Sequence, residues 1–368
     1  MNKGKTNTLV PFLAIIAGVL IGCILLILTG KNPIILFQEL LKGLIGIDLA
    51  RGKFFQLRYI GELLVASMPL ILTGLAIAFA YRTGLFNIGA EGQVIMGSLF
   101  TIFVATQVEL PSIIHIPLAL AAGALGGALW ALIPGVLKAY YNIVEVVVGI
   151  MLNYVALYIS NYFIFNMEGY RNMISPKVLE SASLRVPWIS QLFGGSRMHL
   201  GIFVVILAVI AYWFIIEKTT YGYNLRATGY NKDGAEYAGL KVNRNIVSSM
   251  MISGAFAGLA GSLLTLGTFG HAKTMTSFGN VGYDGIAVAL VGNLSGIGVA
   301  FAGILFGLLG ATKPMLQMRG IPEEIGGIIA ALIVFFVASQ KLLTMLINIY
   351  NKRKEEKLLT VSIEGGDQ

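Results

Sequence analysis

Hydrophobic and polar positions alternate along this chain in long blocks, not with the short periods of a soluble fold. Apolar runs occupy about residues 9–28, 60–80, 118–137, 143–165, 200–216, 246–266, 297–312 and 325–347. At helical rise each approaches the length that crosses about 30 Å of hydrocarbon. Two further runs are interrupted. Residues 84–98 (GLFNIGAEGQVIMGS) set Asn87, Glu91 and Gln93 among glycines and lead into a helix ending near 106. Residues 282–294 (GYDGIAVALVGNL) are too short to span alone. The pattern predicts an all-α, polytopic membrane protein of about ten segments with both termini inside. Leu20-Ile-Gly-Cys23 resembles a lipoprotein cleavage box, but the apolar run continues to 28, so the first segment is expected to be retained.

The polar blocks define the connections. Residues 31–58 are amphipathic and carry five basic residues; 107–117 and 166–199 read as loops. The largest island is 217–245 (EKTTYGYNLRATGYNKDGAEYAGLKVNRN), with five basic residues against three acids. Its centre reads as a short helix. Asn231 or Asp233 can cap its start, Asp233 to Glu236 has capping-box spacing, and Gly239 stands where a left-handed C-terminal cap belongs. Two readings fit: a docking handle for a soluble partner, or a solvated loop with an incidental turn. The domain plan is an N-terminal helix with amphipathic connector (1–58), a membrane domain (59–347) carrying the 217–245 loop, and an inside tail (348–368).

This topology places fourteen of the 26 Lys and Arg inside and twelve outside, or fourteen to seven when 31–58 is set aside. Segments two to five start outside and seven to ten start inside. Two groups of opposite orientation imply an inverted repeat, and each holds a glycine-interrupted polar stretch, 84–98 and 282–298. Broken helices at membrane depth normally line a cavity, because unpaired backbone cannot face lipid.

Composition agrees: 56% of residues are hydrophobic and 12% charged, against about a quarter charged in soluble domains. The 45 glycines suit close helix packing, and the pairs Gly18/Gly22, Gly123/Gly127, Gly254/Gly258 and Gly303/Gly307 read as packing seams. The net charge of +8 is scattered over loops and tail, which points to a bilayer and not to nucleic acid. Cys23 is the sole cysteine and the three histidines stand far apart, so no disulfide, metal site or cofactor is expected. Scarce His, Cys and paired carboxylates argue against a membrane enzyme with catalytic residues. Candidate path residues are Asn87, Glu91, Gln93, Asn153, Asp284 and Asn293. Glu91 reads as a cavity wall, as a partner fixing the broken helix, or as an interfacial acid; a structural role is favoured. Amides bind polar uncharged solutes but serve interhelical hydrogen bonds more often. The chain has no Gly-x-x-x-x-Gly-Lys-Ser/Thr phosphate loop, since Gly4-Lys5-Thr6 lacks the upstream glycine, so transport energy is expected from elsewhere.

Pro69-Leu-Ile-Leu-Thr-Gly-Leu-Ala-Ile-Ala followed by Arg82-Thr-Gly-Leu-Phe-Asn-Ile-Gly-Ala-Glu-Gly-Gln93 resembles permease subunits of ABC importers. The nearest subgroup is the nucleoside type, related to permeases for ribose and branched-chain amino acids. Residues 225–240, Tyr283-Asp-Gly-Ile-Ala-Val-Ala-Leu-Val-Gly292 and Gly320-Ile-Pro-Glu-Glu324 extend the resemblance over about 60–347. Lys232 departs from it, standing where proline is expected at the first helical position. The resemblance implies coupling to cytoplasmic ATP-binding subunits through Asn231, Asp233, Glu236, Ala238 and Gly239. It also implies a second permease in a heterodimer, an extracellular lipoprotein binding protein, and a bacterial cytoplasmic membrane. Purine-type nucleosides are the implied cargo; a sugar or branched-chain amino acid, or an ion-coupled secondary transporter, are the alternatives.

Overall fold

The computed structural model describes residues 3–28, 30–48, 52, 54–322 and 324–338. The 348–368 tail, and residues 339–347 of the last expected segment, lie outside the described residues. In chain order the α-helices are α1 (Lys3–Leu28), α2 (Ile34–Ile45), α3 (Leu57–Arg82), α4 (Ala90–Gln107), α5 (Ser112–Tyr141), α6 (Glu145–Phe165) and α7 (Pro187–Leu192). They continue as α8 (Gly201–Lys218), α9 (Thr220–Tyr230), α10 (Lys232–Tyr237), α11 (Val242–Leu263), α12 (Val281–Val291), α13 (Gly296–Met318) and α14 (Glu324–Ala338). The protein is an all-α, polytopic membrane protein. Among the described residues, six helices are long and apolar enough to cross a membrane: α3, α5, α6, α8, α11 with its extension, and α13.

Among the described residues two bodies emerge from the packing: residues up to 33 with those from 320 to 338, and those from 34 to 319. In the first, α1 and α14 pack together, with Gly22 directly against the Ile329 side chain. The second is built around α3, where every residue from Ser67 to Ala80 is buried. A helix apolar on all sides belongs at a bundle centre, and α11, α12 and α13 surround it. Pro69 lacks the amide that would bond the Val65 carbonyl, and one turn later the Thr73 hydroxyl donates to the carbonyl oxygens of Pro69 (3.0 Å) and Val281 (3.1 Å).

Helices α4, α5 and α11 meet through glycine. A Cβ on Gly258 would run into the Gly123 carbonyl, one on Gly97 into the Gly258 backbone, and one on Gly127 into the Gly254 carbonyl. These glycines are a packing seam, as are Gly303 and Gly307, which lie on Ile71 and Ser67 of α3. Along α11 a hydroxyl ladder faces α4 and the turn before it: Thr83–Ser249 (2.8 Å), Ser98–Thr265 (2.6 Å) and Thr101–Ser262 (2.7 Å).

Several boundaries differ from the sequence expectation. Helix α5 starts at Ser112, not near 118, because His115 is buried and bonded to Ser181 (2.8 Å) and the Val104 carbonyl (3.1 Å), which fixes an extra turn ahead of Pro117. Helix α13 runs past Pro314 to Met318, since burial of Met315 and Leu316 outweighs one missing hydrogen bond. The 217–245 island forms two helices, not one.

Candidate functional site

The polar island is built from local caps. Thr219 Oγ1 accepts the Gly222 N–H (3.0 Å) and starts α9. Asn231, in extended backbone, accepts the Gly234 N–H (2.9 Å) and starts α10. With Asn231 in that place, Asp233 falls inside the first turn and the Asp233 capping alternative does not form. Gly239 takes φ +81°, its N–H bonds the Glu236 carbonyl (2.9 Å), and the Leu240 N–H bonds the Ala235 carbonyl (3.0 Å). That pair of bonds is the Schellman ending, which left-handed glycine permits. Ala235 turns into a cluster with Ala139, Val242 and Ile246, whereas Asp233, Glu236, Ala238 and Gly239 face outward. Tyr230 and Tyr237 are 95% and 97% exposed. Between α9 and α10 lies an open groove of about 640 Å³ lined by Tyr223, Arg226, Tyr230 and Gly234.

The island is tied to the bundle at several places. Glu217 pairs with Arg82 at the end of α3 and with Arg226 on α9 (2.9 Å). A Cβ on Gly84 would lie 3.1 Å from the Gly229 Cα, so α9 rests on the turn that follows α3. Asn245 donates to Thr228 (2.9 Å), and Tyr221 to Ser248 (2.6 Å), fastening α9 to α11.

That turn, residues 83–89, is the break seen in the sequence, and its polar groups are satisfied inside the protein. Asn87 and Gln93 exchange amide hydrogen bonds (2.8 and 3.0 Å), and Asn87 also donates to Ser253 (2.7 Å). Asn153 of α6 accepts the Gly92 N–H (2.8 Å) and donates to the Ile88 carbonyl (3.1 Å) and the Tyr283 hydroxyl (3.0 Å). Glu91, 2% exposed, accepts the N–H groups of Asn280 (3.0 Å) and Gly282 (2.6 Å). Its carboxylate therefore caps α12, an 11-residue helix about 16 Å long at 1.5 Å rise. One break thus holds the start of another.

A cavity of about 170 Å³ lies beside this junction, lined by Glu91, Ser98, Thr265, His271 and Lys273 among apolar residues. It falls below the roughly 300 Å³ at which small-molecule sites begin, so in this conformation it is closed to a solute of that size. One wall is a π-helical turn, Leu264–Phe269, of the kind that recurs at functional sites. Arg185 holds it through the carbonyls of Gly267 (2.6 Å) and Thr268 (2.5 Å). His199, fully buried against Gly267, accepts the Gly201 N–H (3.1 Å); burial, with Arg185 adding to it, lowers its pKa from 6.5 to about 4.

Residues 59–338 match the family model described as branched-chain amino acid transport system / permease component. The chain belongs to this permease family. It is 45% identical over 341 residues to the guanosine ABC transporter permease protein NupP of Bacillus subtilis, covering 92% of this chain and 95% of that protein. Identity is 36% over 346 residues to the nucleoside ABC transporter permease protein NupB of Lactococcus lactis, 92% of each chain. It is 29% over 344 residues to the glucose ABC transporter permease protein TsgB13 of Haloferax volcanii, 90% of this chain and 87% of that one.

Within this permease, four of the six expected path residues come together: Asn87, Glu91, Gln93 and Asn153. Asp284 and Asn293 do not join them. Both are exposed, Asp284 on the outer side of α12 and Asn293 in the turn to α13 at φ +50°. Glu145 opens α6 and pairs with Lys138 (2.9 Å), whereas Glu62 lies past the first turn of α3 and takes a two-pronged bond from Arg197 (2.9 and 2.7 Å). Sequence reading missed Tyr230, Tyr237 and the Arg82–Glu217–Arg226 knot. Arg82 and Glu217 lie 135 residues apart and no spacing rule joins them. The tyrosines had a readable signal, each standing at the last position of a capped polar helix.

Proposed function

We propose that this chain is a membrane permease subunit of an ABC importer and moves purine-type nucleosides into the cell. The observation that carries the cargo is the near-complete alignment with permeases named for guanosine and for nucleosides, at identities above the glucose permease. ATP hydrolysis belongs to separate cytoplasmic subunits. A second permease completes a heterodimer, and an extracellular lipoprotein delivers the solute. The protein sits in the bacterial cytoplasmic membrane with both termini inside, its permease domain at 59–347 and a tail at 348–368.

Helices α9 and α10 are the coupling element. Asn231 and Gly239 give α10 fixed ends, and Asp233, Glu236, Ala238 and the bare rings of Tyr230 and Tyr237 form the docking face. Aromatic side chains at such exposure are the usual anchors of a protein interface. Closure of the ATP-binding subunits pushes α9 against residues 82–84 through Gly229 and the Glu217 ion pairs. Residues 83–89 pass the displacement to the start of α4, and Glu91 passes it to α12. Opening at α12 enlarges the 170 Å³ cavity. The ten-segment inverted repeat of the sequence reading is retained as part of this proposal.

The test is uptake of radiolabelled guanosine by liposomes containing the complete complex. Expected are strict ATP dependence and loss of uptake in Asp233→Lys/Glu236→Lys with the complex's permeases still inserted. Uptake that persists without ATP and collapses with an ionophore would make the protein a secondary transporter. ATP-dependent uptake of labelled glucose with none of labelled guanosine would overturn the cargo.

A further inference from the structure

Helix α6 carries a feature that the coupling scheme does not use. Tyr154, Tyr158 and Tyr162 recur every fourth residue and share one face, 50%, 67% and 68% exposed. From the start of α6, at 1.5 Å per residue, they stand about 14, 20 and 26 Å along a helix of about 32 Å. Tyr162 is close enough to the end to belong to the aromatic belt at a membrane surface. Tyr154 and Tyr158 are not; they stand at the middle of the hydrocarbon layer. Among the described residues, none of the three hydroxyls makes a hydrogen bond within the chain. An unpaired hydroxyl facing lipid tails is strongly disfavoured. This face therefore meets water or polar groups, not acyl chains.

The surroundings give it a direction. At the Tyr162 end an open pocket of about 350 Å³ is lined by Asn161, Tyr162, Phe165, Tyr170, Thr274 and Thr276, within the size range of small-molecule sites. Asn161 is fixed there by both of its amide groups to Met275 (2.8 and 2.9 Å). At the Tyr154 end the rings run on edge-to-face, Tyr154 to Phe278 (4.8 Å between centroids) and Phe278 to Tyr283 (5.9 Å). The Tyr283 hydroxyl is held by Asn153, the residue that braces the start of α4. The stripe thus links a pocket at one end of α6 to the junction that Glu91 closes.

We infer that Tyr154, Tyr158 and Tyr162 with Phe278 form this chain's wall of the solute path and bind the solute by stacking on a planar heteroaromatic ring. The inference rests on the proposed nucleoside cargo for the identity of that ring, but not for the location of the path. Tyrosine suits the task. Its ring stacks on any base, and its free hydroxyl bonds water or the solute's polar edge.

The experiment uses the complete complex in liposomes with Cys23→Ser and one cysteine at position 154, 158 or 162. A charged, membrane-impermeant thiol reagent is expected to modify all three positions, and guanosine is expected to slow modification at 154 and 158. Tyr158→Leu should lower ATP-driven guanosine uptake about tenfold, the loss of one base–aromatic stack, and Tyr158→Phe should restore most of it. Cysteines at 154 and 158 that stay unmodified while the wild-type complex transports guanosine would overturn the wall. Modification without guanosine uptake in the wild type would keep the wall and overturn the cargo.

Discussion

The junction at Glu91 makes the sharpest prediction. In Glu91→Gln the side chain keeps its length but loses its charge and one acceptor. The carboxylate accepts two backbone N–H groups, from Asn280 and Gly282, and glutamine can accept only one of them with its single oxygen while its NH2 faces a donor. Leaving one buried N–H unpaired costs about 1–3 kcal/mol, and removing a negative charge from a helix start about 0.3–1 kcal/mol. The sum, about 2 kcal/mol, falls on local opening of α12 and not on the whole fold, because α12 is short and its first turn has no side-chain cap of its own. At 1.36 kcal/mol per decade this raises the exchange rate of the α12 amides roughly thirtyfold. Hydrogen–deuterium exchange on the complex in lipid discs measures it peptide by peptide, with the exposed Glu109→Gln as control. Exchange in residues 281–285 that stays within about threefold of wild type would refute the cap. The same variant is expected to hydrolyse ATP with reduced guanosine uptake, since a loosened α12 no longer follows α4.

Other expectations follow from single contacts. Gly258→Ala forces a methyl into the Gly123 carbonyl and should destabilise the permease by ~3 kcal/mol, read as a lowered midpoint in thermal unfolding. Gly239→Ala meets no atom within 4 Å, so it should cost only about 1 kcal/mol of left-handed strain, as should loss of the cap in Asn231→Ala. Either should speed tryptic cleavage at Lys232 and Lys241 about fivefold, because 1 kcal/mol of local opening changes the open population by that factor. His199 is held neutral in the fold with a pKa near 4, whereas the unfolded chain takes up a proton near 6.5. Stability is therefore full above pH 6.5 and falls as pH drops toward 4, by up to about 3 kcal/mol, and His199→Gln should flatten that slope in unfolding scans. Spin-label distances between α4 and α11 should stay constant through the ATP cycle while those between α4 and α12 change; the reverse result would move the hinge elsewhere.

Much of this architecture is legible in the sequence because apolar blocks and caps are local signals. Asn231 marks the start of α10 by its side-chain cap, and Gly239 and Gly84 mark its end and the break because each takes a left-handed backbone that few residues adopt. The role of Glu91 was half-visible. Its burial could be expected from its place among glycines, but its partners lie about 190 residues away on Asn280 and Gly282, and no periodicity connects them. Asp284 shows a different limit: an acid in an apolar run reads as a cavity group, but a single helical turn decides which side of α12 it occupies, and in the structure it is exposed. The start of α5 was misjudged because Pro117 is a strong local stop, whereas the buried ring of His115, held by Ser181, is a tertiary reason to keep the helix going.

The packing also restricts where this permease can move. At the glycines of the α4–α5–α11 seam backbone touches backbone, so sliding one helix there would drive carbonyls into Cα atoms; interfaces this close are bistable or rigid, not gradually deformable. Helix α12 is short, at 11 residues, and its entry is held by the Glu91 carboxylate, by the Thr73 hydroxyl on the Val281 carbonyl and by the 271–281 segment. The contact of the coupling helices at Gly84 and Gly229 lies seven residues before Glu91 on the same stretch of chain. A rigid seam with a short capped helix beside it converts a push at Arg82–Gly84 into rotation of the start of α4, because the seam holds the rest of α4 in place. Glu91, at the second position of that helix, receives the largest displacement, and the cap on α12 is the first bond to be loaded.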